Sequence, residues 1–135
     1  MCGALAPIGD VLKTRVYEVA RRLNEWSKRE GKVPPIPESS LTKAPSAELR
    51  PDQKDEDTLP PYEKLDPMLV DYLELGIPVA EIVKKHGEWV PEILRKIELN
   101  EYKRRQGAPV LKASAKAFGV GRRVPIAKVW DRAIK

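Results

Sequence analysis

The chain is poor in the residues that build compact chemical centres. Of its 135 residues, one is a cysteine, Cys2, and one is a histidine, His86. A single cysteine excludes an intramolecular disulfide and any zinc site built on thiolates. A single histidine excludes a two-histidine metal or catalytic centre. No apolar run approaches the roughly 20 residues that a bilayer span needs. There is no Gly-x-Gly-x-x-Gly and no Walker pattern, which removes the two familiar glycine-rich phosphate cradles. No strict apolar–polar alternation marks a strand, and no internal repeat occurs. The opening residues carry no basic n-region, so no secretory signal is expected. What these absences leave is a soluble, cytoplasmic chain whose chemistry rests on Lys, Arg, Ser, Thr and carboxylates, with no membrane partner.

What is present is charge and proline. Charged residues make up 33% of the chain and hydrophobic ones 41%, enough for one domain with a modest core. The net charge of +5 is unevenly spread: residues 1–100 carry 15 basic and 18 acidic groups, whereas 101–135 carry ten basic groups against Glu101 and Asp131, a net of +8. A basic tail of that density favours phosphate-bearing partners without saying whether they are nucleotides or nucleic acid.

The 13 prolines and 8 glycines divide the sequence into parts. Residues 1–31 hold a first helix, from Asp10 to about Ser27, in which Leu12, Val16, Val19, Ala20, Leu23 and Trp26 recur at helical spacing. Asp10 is its expected N-cap. Residues 32–61 contain seven prolines, so neither a long helix nor a central strand fits. The charged half of that loop is the expected mobile part. Residues 62–106 are expected to be helical: one helix capped by Asp66, opened by Pro67 and stopped by Gly76, a short one from Pro78 to Gly87, and a third from about Trp89 to Arg105. Residues 107–135 read as an irregular basic tail.

Several side chains could carry chemistry, and each has a plainer role beside it. Lys13, in the first turn of a helix, could add charge to an anion site, or simply be a solvated lysine. The Ser46 hydroxyl could bond a phosphate or ribose oxygen, or cap the turn from Ser46 to Leu49. The run Glu101-Tyr102-Lys103-Arg104-Arg105-Gln106 could clamp phosphates, or place cations where a helix C-terminus favours them. Arg122 and Arg123 could act similarly. His86 could cap helix carbonyls, Cys2 has no neighbour to activate it, and Trp26, Trp89 and Trp130 are expected in packing roles.

Taken in order, five stretches resemble the NAD synthetase family. Gly3-Ala4-Leu5-Ala6-Pro7-Ile8-Gly9-Asp10-Val11-Leu12-Lys13-Thr14 is similar to the approach to a late helix of those enzymes. Pro45-Ser46-Ala47-Glu48-Leu49-Arg50-Pro51-Asp52-Gln53 resembles their nucleotide-site loop, and Leu59-Pro60-Pro61-Tyr62-Glu63-Lys64-Leu65-Asp66 the segment after it. Asn100-Glu101-Tyr102-Lys103-Arg104-Arg105-Gln106 resembles a substrate-contacting helix end. Ala117-Phe118-Gly119-Val120-Gly121-Arg122-Arg123-Val124-Pro125-Ile126 is similar to the terminal motif of glutamine-dependent bacterial members. The family's Ser-Gly-Gly-x-Asp-Ser phosphate loop is absent, as is its glutaminase domain.

The resemblance implies a fold and a role. The fold is mainly α: the C-terminal helical part of a Rossmann-like α/β ATP-pyrophosphatase domain with the sheet largely missing and Met1 internal to the full enzyme. The role is in amidating deamido-NAD to NAD with ATP and ammonia, through an adenylylated carboxylate. Lys13 and Ser46 would contact ATP, and Tyr102 and Lys103 deamido-NAD. Mg²⁺ would be held mostly by residues elsewhere, and the complete enzyme would form a homo-oligomer. The fragment alone is expected to be inactive and to need the missing N-terminal half. Ala4 stands where some ammonia-dependent members have an aspartate, in keeping with the glutamine-dependent branch. The competing class is a basic nucleic-acid-binding module, against which the sparse aromatics count.

Overall fold

The computed structural model describes residues 3–46, 49–118, 121–122 and 124–126. Six α-helices are present among them: α1 (Lys13–Arg29), α2 (Glu38–Thr42), α3 (Tyr62–Leu69), α4 (Val79–His86), α5 (Val90–Leu99) and α6 (Glu101–Arg105). A single 3-10 turn, Asp55–Asp57, and one π-helical stretch, Val70–Leu75, complete the regular structure. The only extended pairing among the described residues is an isolated parallel bridge between Ala6 and Val110. The chain is therefore mainly helical, as expected. It divides into two compact units, Met1–Val11 with Asp66–Lys135, and Leu12–Leu65.

The Leu12–Leu65 unit is α1 with the proline-rich segment returning to it. Asn24, buried on α1, donates its amide to the Ile36 carbonyl at 2.8 Å and accepts the Ile36 N–H at 3.1 Å. One asparagine thus serves both backbone groups of a loop residue that proline-rich surroundings leave without a ladder partner. The buried side of α1 carries Asn24 and Ser27, while Val19, Leu23 and Trp26 stay exposed. The apolar spacing located the helix, and of its apolar set Leu12, Val16 and Ala20 are half-buried while Val19, Leu23 and Trp26 are exposed. Trp26, expected to pack, is 56% exposed and lies under the Lys32 ammonium at 5.7 Å.

The other unit holds most of the core. Met68, Ile82, Val90 and Leu94 are fully buried, with Ile93 and Ala117 close behind. Contacts run from the π-helical stretch to α4, from α4 to α5 and from α5 to α6. Two boundaries differ from the sequence expectation. Asp66 does not cap a helix, because α3 begins at Tyr62, where the Pro61 carbonyl accepts the Lys64 and Leu65 amides at 2.9 and 3.0 Å. Pro67 therefore sits inside α3 and cannot donate to the carbonyl four residues back. Within three residues the ladder widens to π geometry, ending at Gly76 in the left-handed conformation that the sequence assigned to it (φ 66°).

The expected helix from Trp89 to Arg105 is also two helices. Asn100, at φ −95° and ψ 12°, breaks it, and its side-chain amide donates to the Lys96 carbonyl at 2.7 Å. The short helix from Pro78 to Gly87 and the position of Pro91 in the first turn of α5 match the sequence reading. Trp89 is half-buried. Gly9 has a steric reason to be glycine: a Cβ there would come within 2.6 Å of Val110 Cγ1, where the amino-terminal segment meets residues 109–110.

Leu94→Ala removes a fully buried side chain and is expected to lower unfolding free energy by about 2–5 kcal/mol. Val19→Ala, on the exposed face of α1, is expected to change it by no more than about 0.5 kcal/mol. Urea denaturation of the two variants checks both values, and equal losses would contradict the assignment of faces.

Candidate nucleotide-contacting segments

Lys13 is the first residue of α1, and its ammonium lies 5.8 Å from the Tyr17 ring centre and 5.9 Å from that of Tyr62. Tyr62 in turn donates its hydroxyl to Asp55 Oδ2 at 2.6 Å, and the Asp55 amide donates to the Pro45 carbonyl at 2.9 Å. A continuous set of contacts therefore joins Lys13 to the residue before Ser46, all within the Leu12–Leu65 unit. The charged half of the loop, expected to be mobile, carries these ties and a capped turn in which the Lys54 N–H donates to Asp57 Oδ2 at 2.8 Å. Ser46 is half-buried. Its expected turn runs through residues 47–48, which lie outside the described residues.

Tyr102 and Lys103 belong to the other unit, on α6. Both are exposed, with the Lys103 ammonium 6.0 Å from the Tyr102 ring centre. Their neighbours face the protein instead. Glu101 is buried and takes the guanidinium groups of Arg104 and Arg105, in the latter case at 3.1 Å. Arg104 also donates to the carbonyls of Phe118 and Arg122, and Arg105 to that of Val124. Of the three cations in the run from Glu101 to Gln106, Arg104 and Arg105 are engaged in holding the C-terminal segment, the plainer of the two roles open to them. Arg122 pairs with Glu98 and reaches the Tyr72 hydroxyl at 3.1 Å, so it too has structural work. Burial, helped by the hydrogen bond to Glu98, pushes the Tyr72 phenol up to about 12. Arg123, Cys2 and Trp130 lie outside the described residues.

Asp10 is the largest departure from the sequence reading. The N-cap position belongs to Leu12, with no side-chain cap. Asp10 accepts the amides of Ala113 and Ser114 on Oδ2, each at 2.7 Å, and the Phe118 amide and Ser114 hydroxyl on Oδ1 at 2.5 and 3.1 Å. Burial alone would raise its pKa, but the amides of Ala113, Phe118 and Ser114 outweigh it and hold the carboxyl below its ordinary 3.8. These partners lie more than a hundred residues away in sequence, and no local spacing announces them. His86 likewise looks beyond its own helix end. Its Nε2 meets Asp71 Oδ2 at 2.6 Å, and the Lys85 ammonium meets the same oxygen at 2.7 Å. Those two bonds, His86 first, depress the Asp71 pKa.

Among the described residues, no group of three or more His, Cys, Asp or Glu side chains could hold a metal ion. No helix searched is long and apolar enough to cross a membrane.

The family model for NAD synthase matches residues 1–107. The chain belongs to the NAD synthase family. It is 45% identical over 132 residues to the glutamine-dependent NAD(+) synthetase of Acinetobacter baylyi, covering 96% of this chain and 24% of that protein. It is 46% identical over 132 residues to the enzyme of the same name from Synechocystis sp., covering 96% and 23%. A solved structure, the glutamine-dependent NAD+ synthetase from Acinetobacter baumannii with adenosine diphosphate, is similar at a TM-score of 0.49 and 35% identity, over 87% of this chain and 19% of that one. The chain thus spans about a quarter of the length of the curated relatives it matches.

The carboxylate networks set a pH dependence. Hydrogen bonding from Arg104, then from Arg105, holds Glu101 below its ordinary 4.5 although burial pushes the other way. A depressed folded-state pKa means the unfolded chain binds more protons in this window. The contribution is therefore complete above pH 4.5 and is lost as pH falls through the lower folded value. Glu101→Gln is expected to flatten the fall in stability below pH 4.5, measured by urea midpoints across the acid range. An unchanged slope would contradict the pairing.

Proposed function

We propose that the chain contributes ATP and deamido-NAD contacts to an NAD synthase whose remaining contacts lie in polypeptide outside this sequence. The observation that carries the reading is the set of contacts from Lys13 through Tyr62 and Asp55 to the Ser46 loop, in a chain of this family. A lysine in the first turn of a 17-residue helix adds full charge where unpaired amides already favour an anion. The Tyr17 and Tyr62 rings restrain that ammonium at its base. Ser46 would supply a hydroxyl to the same nucleotide.

Tyr102 and Lys103 would meet the dinucleotide. Their exposure leaves a phenol and an ammonium for its phosphates and sugars, while Arg104 and Arg105 keep the short helix in place. In the proposed reaction the nicotinate carboxylate of deamido-NAD attacks the α-phosphorus of ATP and pyrophosphate leaves. Ammonia, drawn from glutamine in the complete enzyme, then attacks the acyl adenylate, and AMP departs as the amide forms. Lys13 would neutralise phosphate charge during the first step. Lys103 would hold the dinucleotide in register through both. Mg²⁺ would be held mostly by residues outside this sequence. A homo-oligomer and a cytoplasmic setting, where ATP and the dinucleotide are available, complete the reading. The pairing of Arg104, Arg105 and Arg122 with carboxylates takes three of the ten cations of residues 101–135 from a nucleic-acid surface.

Two outcomes test this. The 135-residue chain, supplied with ATP, Mg²⁺, ammonia and deamido-NAD, is expected to form no NAD, and measurable NAD would refute its dependence on further polypeptide. When the chain replaces the matching quarter of the Acinetobacter baylyi enzyme, Lys103→Ala is expected to raise the KM for deamido-NAD about tenfold, with a far smaller change for ATP. An unchanged deamido-NAD KM would contradict the role of Lys103.

A further inference from the structure

Helix α6 is five residues long, too short to persist on its own in water. The break at Asn100 separates it from the ladder of α5, so tertiary contacts must fix its direction. Those contacts run to the C-terminal segment: Arg104 holds the carbonyls of Phe118 and Arg122, Arg105 holds that of Val124, and Glu101 locks both guanidinium groups. Within that segment residues 108–118 have no helix and a single bridge residue, Val110. Its amides at Ala113, Ser114 and Phe118 are taken by Asp10.

We infer that Asp10 is a positioning residue for the dinucleotide contacts of Tyr102 and Lys103, acting through the 113–118 segment rather than by touching substrate. The inference rests on the reading of Tyr102 and Lys103 given above. Each Asp10 oxygen accepts two donors, so the site calls for a carboxylate and not merely a polar group of that size. An asparagine would keep one acceptor oxygen and turn its own N–H groups towards donors on the other side. At least one backbone amide, that of Phe118 or those of Ala113 and Ser114, would then face a donor, and the segment would shift away from residue 10. Because α6 is tied to that segment at Phe118, the displacement reaches the exposed pair on the same helix.

The test uses the 135-residue chain itself, isotope-labelled, titrated with deamido-NAD and separately with ATP, with backbone amide signals read at each point. Wild type is expected to shift at Tyr102 and Lys103 with deamido-NAD. Asp10→Asn is expected to weaken that binding about tenfold and to speed amide exchange in α6, while exchange in α4 and the ATP-induced shifts at Thr14 and Ser46 stay as in wild type. Asp10→Glu, which keeps both acceptors, is expected to recover part of the affinity. Ser114→Ala, which deletes one of the bonds and leaves the fold intact, should weaken deamido-NAD binding in the same direction by a smaller factor.

Lys103→Ala separates the two possible failures. If Lys103→Ala leaves deamido-NAD binding unchanged, or wild type shows no response at Tyr102 and Lys103, the site reading fails and the inference falls with it. If Lys103→Ala abolishes binding while Asp10→Asn and Ser114→Ala bind like wild type, the site reading stands and Asp10 has no positioning role. Equal loss of ATP and deamido-NAD binding in Asp10→Asn would mark general destabilisation and overturn the inference too.

Discussion

Two oxygens of Asp10 take the amides of Ala113, Ser114 and Phe118 and the hydroxyl of Ser114, and the described C-terminal segment depends on that contact. The segment lacks the repeating backbone bonds that would hold it unaided, and an irregular stretch with unpaired amides is costly wherever water is excluded. A carboxylate answers several amides at once because it has two oxygens, each able to accept more than one donor. Charge-assisted bonds of this kind are also stronger than those between neutral groups. The same solution recurs at Glu101, which holds Arg104 and Arg105, and at Asp71, which holds Lys85 and His86. Among the described residues the buried apolar side chains are few, with Met68, Ile82, Val90 and Leu94 the most deeply enclosed. Carboxylates, buried at Glu101 and Asp71 and half-buried at Asp10, supply direction where that core does not reach.

This division of labour separates groups that build from groups that remain available. In the run from Glu101 to Arg105, alternate charges serve different ends: Glu101, Arg104 and Arg105 turn to the protein, while Tyr102 and Lys103 turn outwards. On this short helix Glu101, Arg104 and Arg105, at i, i+3 and i+4, share one face, and Tyr102 and Lys103 lie on the other. The turn therefore anchors and presents at once. Lys13 shows a related arrangement, with its ammonium near two tyrosine rings and one of them bonded onward to the loop that carries Ser46.

Local rules read well from the sequence where local physics decides. Gly76 ends its helix in the left-handed conformation, Pro91 sits in a first turn, and Pro78 and Gly87 bracket α4. Asp66 and Pro67 misled because a cap followed by proline looks like a helix start, whereas Pro60 and Pro61 had already set the start at Tyr62. Trp26 misled because amphipathic spacing identifies an apolar face but not what covers it, and α1 buries Asn24 and Ser27 instead. The candidate residues Lys13, Ser46, Tyr102 and Lys103 came from motif resemblance. Their supports, Tyr62, Asp55 and Asp10, could not, since each is defined by a partner that sequence spacing does not reveal. Asp10 had a sufficient local explanation as an N-cap, and that explanation hid the distant one.

The claim that carboxylates hold the tail is open to one direct measurement: amide exchange at Ala113, Ser114 and Phe118, expressed as protection relative to an unfolded chain, from neutral pH down through the carboxylate range. The account predicts that all three amides are protected at neutral pH and lose protection together below pH 3.8, as Asp10 takes up a proton. Exchange at unprotected rates at neutral pH, or protection that outlasts protonation of Asp10, would contradict it.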